Sequence, residues 1–167
     1  MRRGACRRRA LLRGAALLAL LPAAAVRAQA APDTPLTRID DLRALLASVA
    51  RERRPLLLFF TTPGCPYCRE VRRSYLRPRA DEGEAASGVI IREIEITSPR
   101  RLRDVDGQTL TEGALATRYG VKMVPHLELV DARGERLVKP LIGLDSSGFY
   151  ETFLQNAIAE ATAKLGR

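Results

Sequence analysis

Leu56-Leu57-Leu58-Phe59-Phe60-Thr61-Thr62-Pro63-Gly64-Cys65-Pro66-Tyr67-Cys68 is the stretch on which the reading of this chain turns. Five consecutive apolar residues, 56–60, read as a central strand covered on both faces. Thr61 to Gly64 reads as a short turn. With Cys65 at a helix N-cap, Pro66 falls on the first helical position, where its missing N–H costs nothing and its fixed φ suits the helix. Cys68 falls on the third position, whose N–H points back at the cap side chain. Two cysteines three apart at a strand-to-helix junction can open and close a small disulfide. The helix start supplies unpaired N–H groups and a partial positive charge, which favour a thiolate. The effect is bounded. A helix terminus contributes about 0.3–1 kcal/mol, at best about 2, and a pKa unit is about 1.4 kcal/mol. The dipole and hydrogen bonds together are therefore expected to lower the thiol pKa by about one or two units and not more. The chemistry implied is thiol–disulfide exchange, with the exposed Cys65 attacking and the more buried Cys68 resolving.

The ends of the chain set the compartment. Residues 1–13 carry Arg2, Arg3, Arg7, Arg8, Arg9 and Arg13 and no acid. An apolar stretch, Ala15 to Val26, follows, and then Ala28-Gln29-Ala30, a small-x-small cleavage signature. The apolar part is too short to span a bilayer comfortably. Residues 1–30 therefore read as a secretory signal peptide cut after Ala30, and 31–167 as the mature domain. Arg8-Arg9 also fits a twin-arginine signal, so both export routes stay open. The formal net charge of +9 falls to +2 once the seven arginines of the leader are set aside, so the basicity does not imply a nucleic-acid partner. Cys6 leaves with the leader. Of three cysteines only Cys65 and Cys68 remain, in a compartment that permits disulfides. The expected location is the periplasm, and the expected state is a soluble monomer.

Along the mature chain, Leu36, Ile39, Leu42, Leu45, Leu46 and Val49 recur at helical spacing and predict a helix over about 37–53. The motif helix is expected from 65 to Arg77, stopped by Pro78. Val89 to Ile96 reads as a second strand, and Thr97 to Thr111 as a charged connection. Arg100, Arg101 and Arg103 read as a solvated face beside Asp104 and Asp106, and Asp104-Val105-Asp106-Gly107 as a turn. A short helix follows over 112–119, then a strand region from Lys122 to Val130. Asp131-Ala132-Arg133-Gly134 reads as a hairpin turn with its return strand at 135–139. Ser146 or Ser147 is expected to cap a final helix reaching about Lys164. Helical crossovers favour parallel pairing of the early strands, and the four-residue turn makes the last pair antiparallel. The fold class is therefore α/β, a mixed central sheet with helices on both faces.

With these elements in place, the chain resembles the thioredoxin-like family, in particular its exported, Dsb-type thiol:disulfide interchange members. The resemblance rests on Cys65-Pro66-Tyr67-Cys68 after an apolar strand and on Tyr119-Gly120-Val121-Lys122-Met123-Val124-Pro125. The latter is similar to the family's segment leading to its cis-proline. Gly134 in the hairpin turn and Gly143 before the last helix complete it, so the match covers roughly 37–165. It implies a thioredoxin fold, Cys65 as nucleophile, Cys68 as resolving cysteine, a redox-active Cys65–Cys68 disulfide, and a cis bond before Pro125 beside the pair. It also implies that Val124 offers backbone groups to a bound substrate strand. Pro66, Tyr67 and His126 are candidates for tuning the sulfurs, with Tyr67 either covering them or facing solvent. The chain departs from the family at Gly64, where a tryptophan is usual, and at Phe59, where many members keep a buried aspartate. Pro66-Tyr67 is the dipeptide typical of glutaredoxins.

The function expected is a periplasmic oxidoreductase that reduces or isomerises disulfides of exported proteins and is kept reduced by a membrane thiol-reductant transporter. The alternatives are a copper-binding chaperone using the cysteines and His126, a disulfide-forming oxidase, and a non-catalytic interaction domain. No cofactor and no metal is expected: a structural zinc site needs about four ligands, and the mature chain offers two cysteines and one histidine.

Overall fold

A computed structural model describes residues 33–145 and 147–166. The expected leader, residues 1–30, lies outside the described residues, as does Ser146. Strand β1 (Leu56–Thr61) is buried along its whole length. It pairs in parallel with β2 (Ile90–Glu95) on one side and antiparallel with β5 (His126–Val130) on the other. The short β6 (Leu141–Ile142) pairs antiparallel with β5, so the sheet order is β2-β1-β5-β6. Alternation along β1 divides the core. Leu57 and Phe59 meet Val71, Leu76, Tyr150 and Leu154 on one face. Leu56, Leu58 and Phe60 meet Leu42, Leu46, Val49 and Leu115 on the other. The first face is covered by α2 (Pro66–Glu70), its continuation, and α6 (Tyr150–Leu165); the second by α1 (Leu42–Glu52) and α5 (Glu112–Arg118). Helices lie on both faces of a mixed sheet, as the pattern implied.

Several elements differ from the sequence reading, each for a local reason. The first helix starts at Leu42, because the Asp41 side chain accepts the Ala44 N–H and caps it there. Leu36 and Ile39 are buried all the same, in an extended segment whose Thr37 carbonyl accepts the Glu93 N–H and so covers the outer edge of β2. The motif helix does not stop at Pro78. It passes through a π-helical stretch, Val71–Leu76, into α3 (Arg77–Glu82), with Pro78 in the first turn after the widened segment. There the Arg79 guanidinium, rather than a backbone N–H alone, serves the Tyr75 carbonyl at 2.7 Å. A short α4 (Glu84–Ser87) leads to β2.

The 97–111 connection contains a small hairpin, β3 (Arg101–Arg103) with β4 (Thr109–Thr111), closed by a turn at Gly107. Arg100 is not on a solvated face: it donates to the Ile39 carbonyl and to the fully buried Glu112. The return strand at 135–139 is also corrected. Val130 pairs with Arg136, but Leu127 pairs with Leu141, so the register slips by two residues around Pro140, which has no N–H for a ladder. Finally, the residue ahead of α6 is Phe149 rather than Ser147, with no side-chain cap bond, and the Asp145 carboxylate accepts from the Ser147 and Phe149 N–H groups ahead of the helix.

Candidate active site: the Cys65–Cys68 pair

Cys65 and Cys68 form a disulfide with Cα atoms 5.3 Å apart. Cys65 is the N-cap of α2, Pro66 occupies the first turn, and the Cys68 N–H donates to Cys65 Sγ at 3.1 Å, as the spacing implied. Cys65 is half-buried, whereas Cys68 is 1% exposed and packs with Phe59, Val71 and Leu76. One sulfur is reachable and its partner is not.

Val124–Pro125 is a cis peptide bond. Pro125 precedes His126, which pairs with Phe60 at the end of β1 from which the cysteine turn emerges. Val124 packs against the same cluster that holds Cys68. The Pro125 carbonyl accepts from Gly143 N–H, while the Val124 N–H and carbonyl have no partner among the described residues. The tertiary structure thus brings Cys65, Cys68, Val124 and Pro125 to one end of the sheet.

His126 does not join them. It lies across from Phe60 and packs edge-on against it, on the sheet face opposite the sulfurs. Its Nε2 is 2.8 Å from Glu128 Oε1, and its Nδ1 is buried without a partner among the described residues. Burial alone would push the Glu128 carboxyl up, but hydrogen bonds from His126 and Arg136 hold it below the usual carboxylate range. The tuning role expected of His126 therefore has no direct contact to act through, and a copper site of two cysteines and this histidine is not assembled. Tyr67 is 62% exposed and faces solvent rather than covering the disulfide. Pro66 is exposed beside it.

The sequence reading missed the polar wall on the β2 side of the site. At Phe59, where a buried acid would be expected by resemblance, the parallel neighbour is Glu93, which is 1% exposed on the same sheet face. Arg72, from the π-helical stretch, grips Glu93 with Nε at 2.9 Å and Nη2 at 2.8 Å, and reaches Asp33 through Nη1. The Leu36 N–H donates to Glu93 at 2.8 Å. Burial works against the Arg72 charge, but Glu93 and Asp33 more than offset it and raise its pKa. The signal was present: Ile91, Glu93 and Glu95 alternate along β2, so a charge stands at an inward position. Negative groups near the pair are therefore not removed by Phe59; they are present and matched by arginines.

A family model described as a thioredoxin-like domain matches residues 42–147. The chain belongs to the thioredoxin-like family. Among solved structures, this thioredoxin-like chain is similar to one titled DsbH Oxidoreductase, at 18% identity over 78% of this chain and 91% of that one, with a TM-score of 0.54. It is also similar to a thioredoxin-fold protein from Helicobacter pylori (19% identity, 69% and 81% covered, TM-score 0.48). A third is the periplasmic thioredoxin SoxS from Paracoccus pantotrophus (18%, 65% and 99% covered, TM-score 0.44). At such identities the likeness speaks for the fold. No curated protein matches the chain. A thioredoxin-like fold with a closed, half-accessible Cys65–Cys68 pair is that of a thiol–disulfide oxidoreductase.

Proposed function

We propose that this is a periplasmic dithiol–disulfide oxidoreductase that reduces or isomerises disulfides of exported proteins. The observation that carries the reading is the unequal exposure of the two sulfurs, with the accessible one at a helix N-cap and accepting a backbone N–H. In the reduced protein, the Cys65 thiolate attacks one sulfur of a substrate disulfide. A Cys65–substrate disulfide forms and one substrate thiolate leaves. Cys68 then gives up its proton to that leaving thiolate or to solvent, and its sulfur attacks Cys65 Sγ. The Cys65–Cys68 bond forms, the mixed bond breaks, and the second substrate thiolate departs. The substrate gains two electrons and the pair loses two, so a thiol reductant must return the pair to its reduced state. In an exported protein that reductant is a membrane thiol transporter.

The unpartnered N–H and carbonyl of Val124 beside cis-Pro125 support a docking role for this segment, since a substrate strand can take up both by main-chain pairing. Export rests on the Ala28-Gln29-Ala30 signature behind an arginine-rich start and apolar stretch. Among the described residues no helix is long and apolar enough to cross a membrane. The mature protein, 31–167, works as a monomer in this reading.

The test uses insulin reduction and trapping in the parent cell. Cys65→Ser abolishes reduction, and Cys68→Ala accumulates reductant-sensitive complexes with exported proteins. Full activity in Cys65→Ser overturns the nucleophile assignment. Absence of complexes with the Cys68→Ala protein folded and exported overturns the oxidoreductase role in favour of metal or partner binding, which Cu(I) titration against a chelator then separates. The mass of the exported protein should correspond to a chain beginning at Ala31.

A further inference from the structure

A cavity of about 180 Å³ opens beside Cys65 on the β2 side of the site, away from Val124 and Pro125. That is the liquid volume of about six waters, enough for one side-chain head group. Two of its lining groups have no partner. The Thr61 hydroxyl is buried, in a residue 2% exposed, and makes no hydrogen bond with any described residue. Thr61 stands at an inward position of β1, on the face that holds Phe59 and the sulfurs. Arg69 lies one helical turn after Cys65, on the same side of α2, and lines the same cavity. It is exposed, and while its backbone N–H donates to the Cys65 carbonyl, its guanidinium has no hydrogen bond or ion pair with any described residue. A buried hydroxyl left unsatisfied costs free energy until something bonds to it, and an uncompensated guanidinium attracts an anion.

The other charges on this wall are paired among themselves, with three carboxylates, Asp33, Glu93 and Glu95, set against Arg72 and Arg38. Arg72 holds Glu93 and Asp33, and Arg38 stands 3.7 Å from Glu95 while pairing with Glu112. Each acid lining the cavity already has an arginine, one shared by Asp33 and Glu93, and Arg69 is the lining arginine whose guanidinium has no acid of its own.

We infer that this cavity is a specificity subsite for an acidic side chain of the substrate, within a residue or two of the attacked cysteine. The carboxylate bonds to the Arg69 guanidinium at the mouth and accepts from the Thr61 hydroxyl inside. Substrate disulfides flanked by Asp or Glu are thereby preferred. The inference rests on Cys65 as the attacking thiol, and it places the two flanks of a substrate on opposite sides of β1: one along Val124, the other in this cavity.

The test measures kcat/KM of the reduced protein on symmetric disulfides of end-blocked Xaa-Cys-Xaa peptides, with Xaa as Glu, Gln or Lys. Each rate is divided by that of free dithiothreitol on the same peptide, to remove intrinsic reactivity. The Glu peptide is expected to exceed the Gln peptide by roughly two- to fivefold at low salt, the range of a partly exposed ion pair, with the Lys peptide slowest. Arg69→Ala removes the Glu-over-Gln ratio, and Arg69→Lys restores part of it. Thr61→Val raises KM for Glu and Gln peptides and leaves kcat unchanged. If Arg69→Ala slows all three peptides by one factor, Arg69 acts on the Cys65 thiolate alone and the subsite is overturned. Equal rates on all three peptides in the parent protein overturn it too, without touching the oxidoreductase reading. Failure of every peptide to react overturns that reading first.

Discussion

Replacing Arg72 by Met removes the cation that makes a buried carboxylate tolerable. Glu93 is 1% exposed and receives two guanidinium hydrogen bonds and one N–H, from Leu36. Without Arg72 it keeps only the last. Leaving one partner of a buried pair uncompensated costs about 3–5 kcal/mol. The reverse change is milder. In Glu93→Gln the guanidinium keeps Asp33, which is 43% exposed on its side chain and reaches Arg72 Nη1, so a cost of about 1–3 kcal/mol is expected. Removing both charges with Arg72→Met and Glu93→Leu should recover most of the loss, because a well-packed apolar pair replaces a buried ion pair at little cost. The assay is urea unfolding of the mature protein. With a slope near the middle of the usual range, about 2 kcal/mol per molar, the Arg72→Met midpoint should fall by roughly 1.5–2.5 M, that of Glu93→Gln by less, and the double variant should return toward the parent. A loss under about 1 kcal/mol in Arg72→Met, or a double variant no more stable than the single one, would refute the claim that the pair is buried and mutually dependent.

Glu128, Asp104 and Glu151 all have carboxyls held below their ordinary range. In Glu128, burial is outweighed by His126 and Arg136; Asp104 and Glu151 are bonded by Arg118 and Arg79. A depressed carboxyl adds stability that is present above its unfolded value and lost as pH falls through the folded one. Stability should therefore drop as pH passes below the ordinary 4.5 of a glutamate, and Glu128→Gln should flatten that part of a urea-midpoint against pH curve. Asp41→Ala deletes the acceptor for the Ala44 N–H and should cost about 1 kcal/mol by thermal unfolding. Gly113→Ala places a Cβ 2.9 Å from the Ile96 carbonyl oxygen, so the start of α5 must shift; a loss of about 1–3 kcal/mol is expected, and an unchanged Tm would show that the helix is not seated there. Equilibration against glutathione should give a potential of about −200 to −230 mV, whereas about −120 mV, with the pair fully oxidised in cells, would make the protein a disulfide-forming oxidase.

The local features of this protein follow from its sequence. Five apolar residues, a short turn and Cys65-Pro66-Tyr67-Cys68 are enough to specify a buried strand, a helix capped by Cys65 and the inward placement of Cys68. Each depends on neighbours within about one helical turn. The Asp131–Gly134 turn and the α5 span were legible for the same reason. What sequence could not determine depends on register and on chain distant in sequence. Arg72 finds Glu93 across 21 residues only because β1 and β2 pair with Phe59 opposite Glu93. Leu36 and Ile39 keep a helical spacing yet lie in extended chain, since covering the edge of β2 and capping at Asp41 outweigh propensity. His126 sits one residue from Pro125, but alternation along β5 sends its side chain to the far face, away from the sulfurs. Chain proximity placed it at the site; the pleat of the sheet removed it, and the same pleat put Thr61 and Glu93 there instead.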